Sequence, residues 1–295
     1  MNYDIIGDVH GQSEKFEALL NKIGYVAVGS GYRAPQDHRL VLLGDLIDRG
    51  PGQIRVLEIV RSMVESGDAL CIMGNHEFNA IAYVTDDPYH PGEALRPNRG
   101  DSDKCQKNRA QHAEFLAQVG EGSDAHRDWV QWFRSLPPFL ELEGIRVVHG
   151  CWDQASVDVL REYVWDAGRL LDDELLVEVA NRKTPLKRAR QLLLCGLEIP
   201  LAEGQYIVDK SGHRHSDVRV ANWRHWCPKG KRSCWPIWTG LLVWCSAPLK
   251  DRRFLWVTTG SVGIQSSRVL SSRVWTGRLR QVVHRWPTAG AVKTS

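Results

Sequence analysis

Four glycine-bounded clusters carry the residues best suited to chemistry: Gly7-Asp8-Val9-His10-Gly11, Gly44-Asp45-Leu46-Ile47-Asp48-Arg49-Gly50, Gly74-Asn75-His76-Glu77 and His149-Gly150. Each follows a short apolar run of strand type. Glycine at a strand end permits a tight turn and close backbone approach. Side chains from several parallel strand ends can converge on one crevice. The set Asp8, His10, Asp45, Asp48, Arg49, Asn75, His76 and His149 offers carboxylate, amide and imidazole donors without a thiolate. Such donors favour manganese, iron or zinc over a cysteine-based structural zinc site. Two carboxylates with several His and Asn ligands can hold two cations about 4 Å apart, one carboxylate bridging. That pair acidifies a shared water and clamps an in-line displacement at phosphorus. An alkoxide leaving group also needs a proton donor, which an imidazole can supply.

The elements that must position these residues follow from periodicity. Strands are expected at Tyr3–Ile6, Arg39–Leu43 and Ala69–Met73, each running into one cluster. Between them, Phe16, Leu19, Leu20 and Ile23 recur at helical spacing, with Ser13 as N-cap, and 54–64 forms a second helix after Pro51. This β-α-β-α-β order implies a sheet covered by helices. Helices are expected near 106–118 and 124–134, then a hairpin of Phe139–Leu142 and Ile145–Val148 that ends at His149. Residues 156–200 read as mostly helical and amphipathic. Glu77 is expected to cap its helix, Trp152 and Asp153 either to shape a pocket rim or to pack and turn, and His38, His90, His112 and His126 to be solvated.

The 295 residues are 43% hydrophobic and 25% charged, which excludes collagen-like, coiled-coil and wholly disordered chains. No run of about 18 apolar residues predicts a membrane span. No basic, then apolar leader precedes the first strand, and seven scattered cysteines without C-x-x-C pairs fit a reducing cytosol. A cytoplasmic protein with no membrane partner is expected.

Together the first three blocks resemble the signature of the calcineurin-like metallophosphoesterases. The Asp48-Arg49-Gly50 ending is similar to the phosphoprotein phosphatase branch, and Val147-Val148-His149-Gly150 resembles a fourth motif of bacterial members. The resemblance implies a mixed α/β fold, a four-layer αββα sandwich with a helical cap insert. It implies two divalent cations, manganese first, with iron, zinc or nickel as alternatives. Asp8 and His10 would hold one cation, Asn75 and His149 the other, and Asp45 would bridge. His76 would be the general acid, oriented by Asp48, and Arg49 would grip phosphoryl oxygens, for which a planar fork of donors is suited. The implied activity is hydrolysis of phosphomonoesters, as in Ser/Thr protein phosphatases. Symmetrical dinucleoside tetraphosphates or nucleic-acid phosphate ends are the alternative substrates. The domain reading is a catalytic core over 1–155, a cap over 156–222 that ends in a hairpin, and a tail over 223–295.

Two departures from that pattern stand out. The family also uses a late Gly-His ligand, and Gly212-His213 is a poor match because its surroundings resemble the cap hairpin. The tail is also unusual. Residues 211–295 hold 15 Lys and Arg against Asp217 and Asp251, and eight of the 12 tryptophans lie in 223–295. Three readings apply: a nucleic-acid surface, the less favoured partner; a poorly packed tail; or a segment out of frame with its ancestor. Back-translating Trp256-Val257-Thr258-Thr259-Gly260 from the third base of each codon forces Gly and permits His-Tyr-Trp after it. A one-base shift near 222–230 would therefore remove a metal-binding imidazole and the alternating pattern of the last strands.

Overall fold

A computed structural model describes residues 1–165, 171–181, 184–202, 204–208 and 214–219, with the strand segments 244–245, 253–258, 261–266 and 293–294. Gly212-His213 and most of the tail lie outside the described residues.

Three parallel strands form the first sheet: β1 (Asn2–Ile6), β4 (His38–Leu42) and β5 (Ala69–Cys71), with β4 in the middle. A small hairpin, β2 (Val26–Val28) and β3 (Gly31–Arg33), precedes β4. The crossovers are α1 (Ser13–Lys22) and α2 (Gln53–Glu65), and α3 (Asn75–Val84) follows β5. A helix α4 (Asp103–Val119) and a helix α5 (Asp124–Arg134) lead to a second sheet, where β6 (Phe139–Leu142) and β7 (Ile145–Val148) form the expected hairpin.

Side-chain alternation builds the layers, because successive strand residues face opposite sides. Ile5, Val41, Leu43 and Ile72 meet Ile145 and Val147 of the second sheet in one buried cluster. The next residues along those strands, Ile6, Leu40, Leu42 and Cys71, face the other way and pack with Phe16, Leu19 and Leu20 of α1 and Val56, Leu57, Val60 and Met63 of α2. Burying a leucine-sized side chain stabilises by about 1.5–3 kcal/mol, so this double-sided core fixes strand register. On the second sheet Phe139 turns away from the inter-sheet layer and meets Trp152 edge-on, with ring centroids 5.7 Å apart. Helices α6 (Gln154–Leu160), α7 (Asp173–Asn181) and α8 (Pro185–Arg190) join that side through Val157, Leu160, Leu176 and Leu186. The mixed α/β sandwich expected from the motifs is the observed architecture.

Several local expectations need correction. Ser13 does not cap α1 with its side chain; the N-cap is Gln12, without a side-chain bond. Elsewhere, Asp153 caps α6 by accepting the Ser156 N–H at 2.9 Å. In the tail, the short β8 (Trp244–Cys245) adds to β7, and β9 (Arg253–Thr258) and β10 (Ser261–Ser266) pair antiparallel in a sheet of their own.

Candidate metal centre

The loops after β1, β4 and β5 and the end of β7 bring the chemistry together. Their backbone is bent into conformations that L-residues rarely adopt: φ is +46° at His10, +52° at Asp45, +68° at Asp48 and +73° at Arg49. Each such residue costs about 1–3 kcal/mol and persists only where its surroundings over-determine it. Here they do. Gly44 and Gly74 approach so closely that a Cβ on Gly74 would sit 2.3 Å from the Asp45 nitrogen. Glu77, fully buried, accepts the N–H groups of Asp45 (2.8 Å), Leu46 (2.8 Å) and Gly74 (2.9 Å). Gln53 accepts the Asp48 N–H at 2.8 Å.

At the centre is the Oδ2 atom of Asp45. His149 Nε2 lies 3.5 Å from it, His10 Nε2 3.7 Å and His76 Nε2 3.8 Å. The ring orientations are fixed from behind: His10 Nδ1 donates to the Ile47 carbonyl at 2.8 Å and His149 Nδ1 to the Leu43 carbonyl at 2.7 Å. That aims both Nε2 atoms inward, and in the neutral ring each offers its lone pair there, as metal-ligating histidines require. Asn75 Oδ1 stands 3.1 Å from His149 Nε2, and Asp8 Oδ2 stands 3.8 Å from His10 Nε2.

Spacings of 3.5–3.8 Å are too long for hydrogen bonds. They are close to the separation of two ligands on one cation, about 3–3.6 Å for bonds of about 2.1 Å. Two groups whose candidate ligand atoms all lie within 4.8 Å of one another share Asp45: His10, Asp45 and His76, and Asp8, Asp45 and His149. Moreover, His10 Nε2 and Asp8 Oδ1 are buried without a hydrogen-bond partner. An orphaned buried polar atom is costly, about 1–3 kcal/mol. The donor set therefore fits a pair of divalent cations.

Electrostatics agree with a site built for positive charge. Burial raises the Asp45 carboxyl, but the imidazoles of His149, His76 and His10 outweigh it and hold the group far below the usual carboxylate range. Burial also raises Asp8, helped by the neighbouring Asp45 charge. Burial and the nearby His76 lower His10 to about 4, so its imidazole is neutral at physiological pH. His149 is pushed up to about 9, because Asp45 more than offsets its burial.

A second polar chain runs outward from this centre. His76 Nδ1 bonds Asp48 Oδ2 at 2.5 Å, and the other oxygen of Asp48 meets His112 Nδ1 at 2.7 Å. Asp48 is lowered to about 2: burial opposes this, and the hydrogen bonds from His112 and His76 prevail. Arg49 is exposed beside the site.

All eight residues singled out by type and spacing line this one region. The expectation of solvated histidines holds for His90, which is exposed although it pairs with Asp87 at 2.9 Å, and fails for the others: His112 and His126 are buried, and half-buried His38 bonds Asp4 at 2.9 Å. Glu77 does cap α3, and it also holds the Asp45 turn, a role that its sequence position alone does not show. Sequence reasoning also passed over Gln53. The signal for His112 was present, because Cys105, Asn108, His112, Phe115, Leu116 and Val119 form one buried stripe at helical spacing. It is missed when only apolar residues are counted.

A family profile described as calcineurin-like phosphoesterase matches residues 1–217. The asymmetrical bis(5'-nucleosyl)-tetraphosphatase PrpE of Oceanobacillus iheyensis is 43% identical over 76 residues, 26% of this chain and 30% of that protein. Its namesake from Bacillus subtilis is 33% identical over 109 residues, 37% of this chain and 44% of that protein. The aligned part of the chain thus spans less than half the length of these curated relatives. A protein serine/threonine phosphatase from Saccharomyces cerevisiae superposes with a TM-score of 0.39 at 18% identity, covering 60% of this chain and 48% of that one.

Proposed function

The chain belongs to the calcineurin-like phosphoesterase family, and on that premise we propose that it hydrolyses phosphate esters with two divalent cations as cofactors. The observation that carries this reading is the convergence of three imidazole nitrogens on one oxygen of Asp45, with Asp8 and Asn75 beside them. Asp8 and His10 would hold one cation, Asn75 and His149 the other, and Asp45 both, leaving His76, which also stands near Asp45, as the proton donor. When bound, such a pair supplies Lewis acidity and an acidified water at neutral pH.

The chain's own residues do the rest. Asp48 accepts a hydrogen bond from His76 Nδ1–H, which turns Nε2 toward the centre. Protonated there, His76 gives its Nε2 proton to the departing oxygen. Burial lowers the affinity of His76 for a proton, but Asp45 and Asp48 outweigh burial and raise it, as a general acid needs. Arg49 offers forked donors to the phosphoryl oxygens. Leu46, Ile47 and Phe78, next to these residues in sequence, are buried in the core.

The substrate we propose first is a phosphomonoester such as a phosphoprotein. A dinucleoside tetraphosphate is the second reading, favoured by the names of the relatives. Purified chain with manganese is assayed on p-nitrophenyl phosphate, a phosphoserine peptide and diadenosine tetraphosphate. Products separate the modes: ATP with AMP for asymmetrical cleavage, two ADP for symmetrical cleavage. Activity should vanish in Asp45→Asn and His76→Ala. Salt-dependent RNA binding without hydrolysis of any ester under any of manganese, iron, zinc or nickel would refute the proposal in favour of a binding protein.

A further inference from the structure

We propose that His112 on α4 is a positioning residue: it pins the Asp48 carboxylate, and through it the imidazole of His76. This rests on the general-acid role proposed for His76. A carboxylate can only accept hydrogen bonds, so both imidazoles donate Nδ1–H to Asp48, His76 to Oδ2 and His112 to Oδ1. One such bond alone would leave the carboxylate free to turn about its broad χ2 torsion. Two bonds to opposite oxygens, with the Asp48 N–H held by Gln53, fix its plane.

His112 is an expensive choice for its place. Its ring packs between Tyr83 and Phe115, with centroids 5.2 Å and 5.0 Å away, where an apolar side chain would pack without cost. Its Nε2 is buried with no hydrogen-bond partner. Such an orphan costs free energy, and among the described residues the bond to Asp48 is what His112 receives in return. The same helix turn also faces the reactive side of the ring, where Gln111 Nε2 stands 3.4 Å from His76 Nε2. The segment 85–125 therefore reaches the proton donor from both sides, and Asp48 and His112 are 64 residues apart in sequence.

The test compares His112→Leu with His112→Asn, whose amide N–H can occupy the place of Nδ1–H. Rates are measured on aryl phosphates of graded leaving-group ability. For phenyl phosphate, His112→Leu should lower kcat about 10- to 100-fold with KM unchanged, because a misplaced acid loses much of its effect. For 2,4-dinitrophenyl phosphate, whose leaving group needs no proton, the loss should be under about threefold. His112→Asn should restore most of the rate. Equal losses across leaving groups, or no loss, overturn the proposal. An NMR arm needs no turnover. The His76 Nδ1–H proton, identified by its disappearance in His76→Ala, should exchange with water at least about tenfold faster in His112→Leu but not in His112→Asn. Unchanged exchange overturns the proposal, whereas absence of hydrolysis by the wild type with intact protection defeats the phosphoesterase reading and leaves the positioning standing. Thermal unfolding of each variant, with His112→Met as a second apolar replacement, separates misplacement from misfolding.

Discussion

Glu77 offers the sharpest test of how the site is held. Its two carboxylate oxygens satisfy three backbone N–H groups, of Asp45, Leu46 and Gly74, at 2.8–2.9 Å inside a fully buried turn. Glu77→Ala leaves all three donors without partners. Each orphan costs about 1–3 kcal/mol, so the sum is roughly 3–9 kcal/mol. A domain is stable by only about 5–15 kcal/mol, which places this variant at the edge of folding. Glu77→Gln is the graded version. Its carbonyl can keep the two bonds made by Oε2, but its amide then points a donor at the Leu46 N–H. One broken bond should cost about 1–3 kcal/mol. Burial and the Asp45 charge beside it raise the Glu77 carboxyl above its ordinary value, so the comparison is made at fixed pH. Urea unfolding measures both losses, and isothermal titration with manganese reports whether the Asp45 turn still binds. A Glu77→Ala protein within about 1 kcal/mol of wild type, with full manganese uptake, would refute the idea that this carboxylate holds the turn.

Other outcomes can be checked in parallel. Asp45→Asn should reduce manganese uptake from two ions per chain to one or none, by metal analysis after gel filtration, since Asp45 is common to both ligand groups. Asp48 has a folded pKa of about 2 against 3.8 unfolded, so its contribution is complete above the unfolded value and is lost as pH falls through the folded one. The stability gap between wild type and Asp48→Asn should therefore shrink by about 2 kcal/mol between pH 4 and pH 2, in urea unfolding at stepped pH. Gly74→Ala should abolish manganese binding while the protein still expresses, because its Cβ would meet the Asp45 nitrogen at 2.3 Å. A chain restored by a one-base shift near 222–230 should bind its second manganese more tightly than this one, and intact mass of the native protein shows which frame is expressed.

Much of the site was legible because ligand chemistry is local. Gly-Asp-x-His and Gly-Asn-His-Glu place their donors within one turn, and a parallel sheet need only align its strand ends to gather them. The helix Asp124–Arg134 and the hairpin Phe139–Leu142 with Ile145–Val148 were readable for a similar reason, since strong periodicity and Glu143-Gly144 punctuation leave little choice. What was not legible depends on distant partners. Nothing near His112 shows that Asp48 would stand beside it, and α4 is polar enough to pass for a solvated helix. Ser13 looked like a cap, yet the helix starts one residue earlier than that reading needs, with Ser13 already in its first turn and Gln12 at the N-cap. Glu77 was read as a capping residue, correctly but incompletely, because its second set of bonds crosses to another loop.

Among the described residues, four of the five non-glycine residues with left-handed backbone are His10, Asp45, Asp48 and Arg49. Their turns are held by bonds within the chain, between Glu77 and both Asp45 and Leu46 and between Gln53 and Asp48. Bare and loaded protein should therefore trace the same loops, and one metal species should displace another without reshaping the cradle. Which ion the protein carries in life then follows from the supply of free ions around it and from their exchange rates.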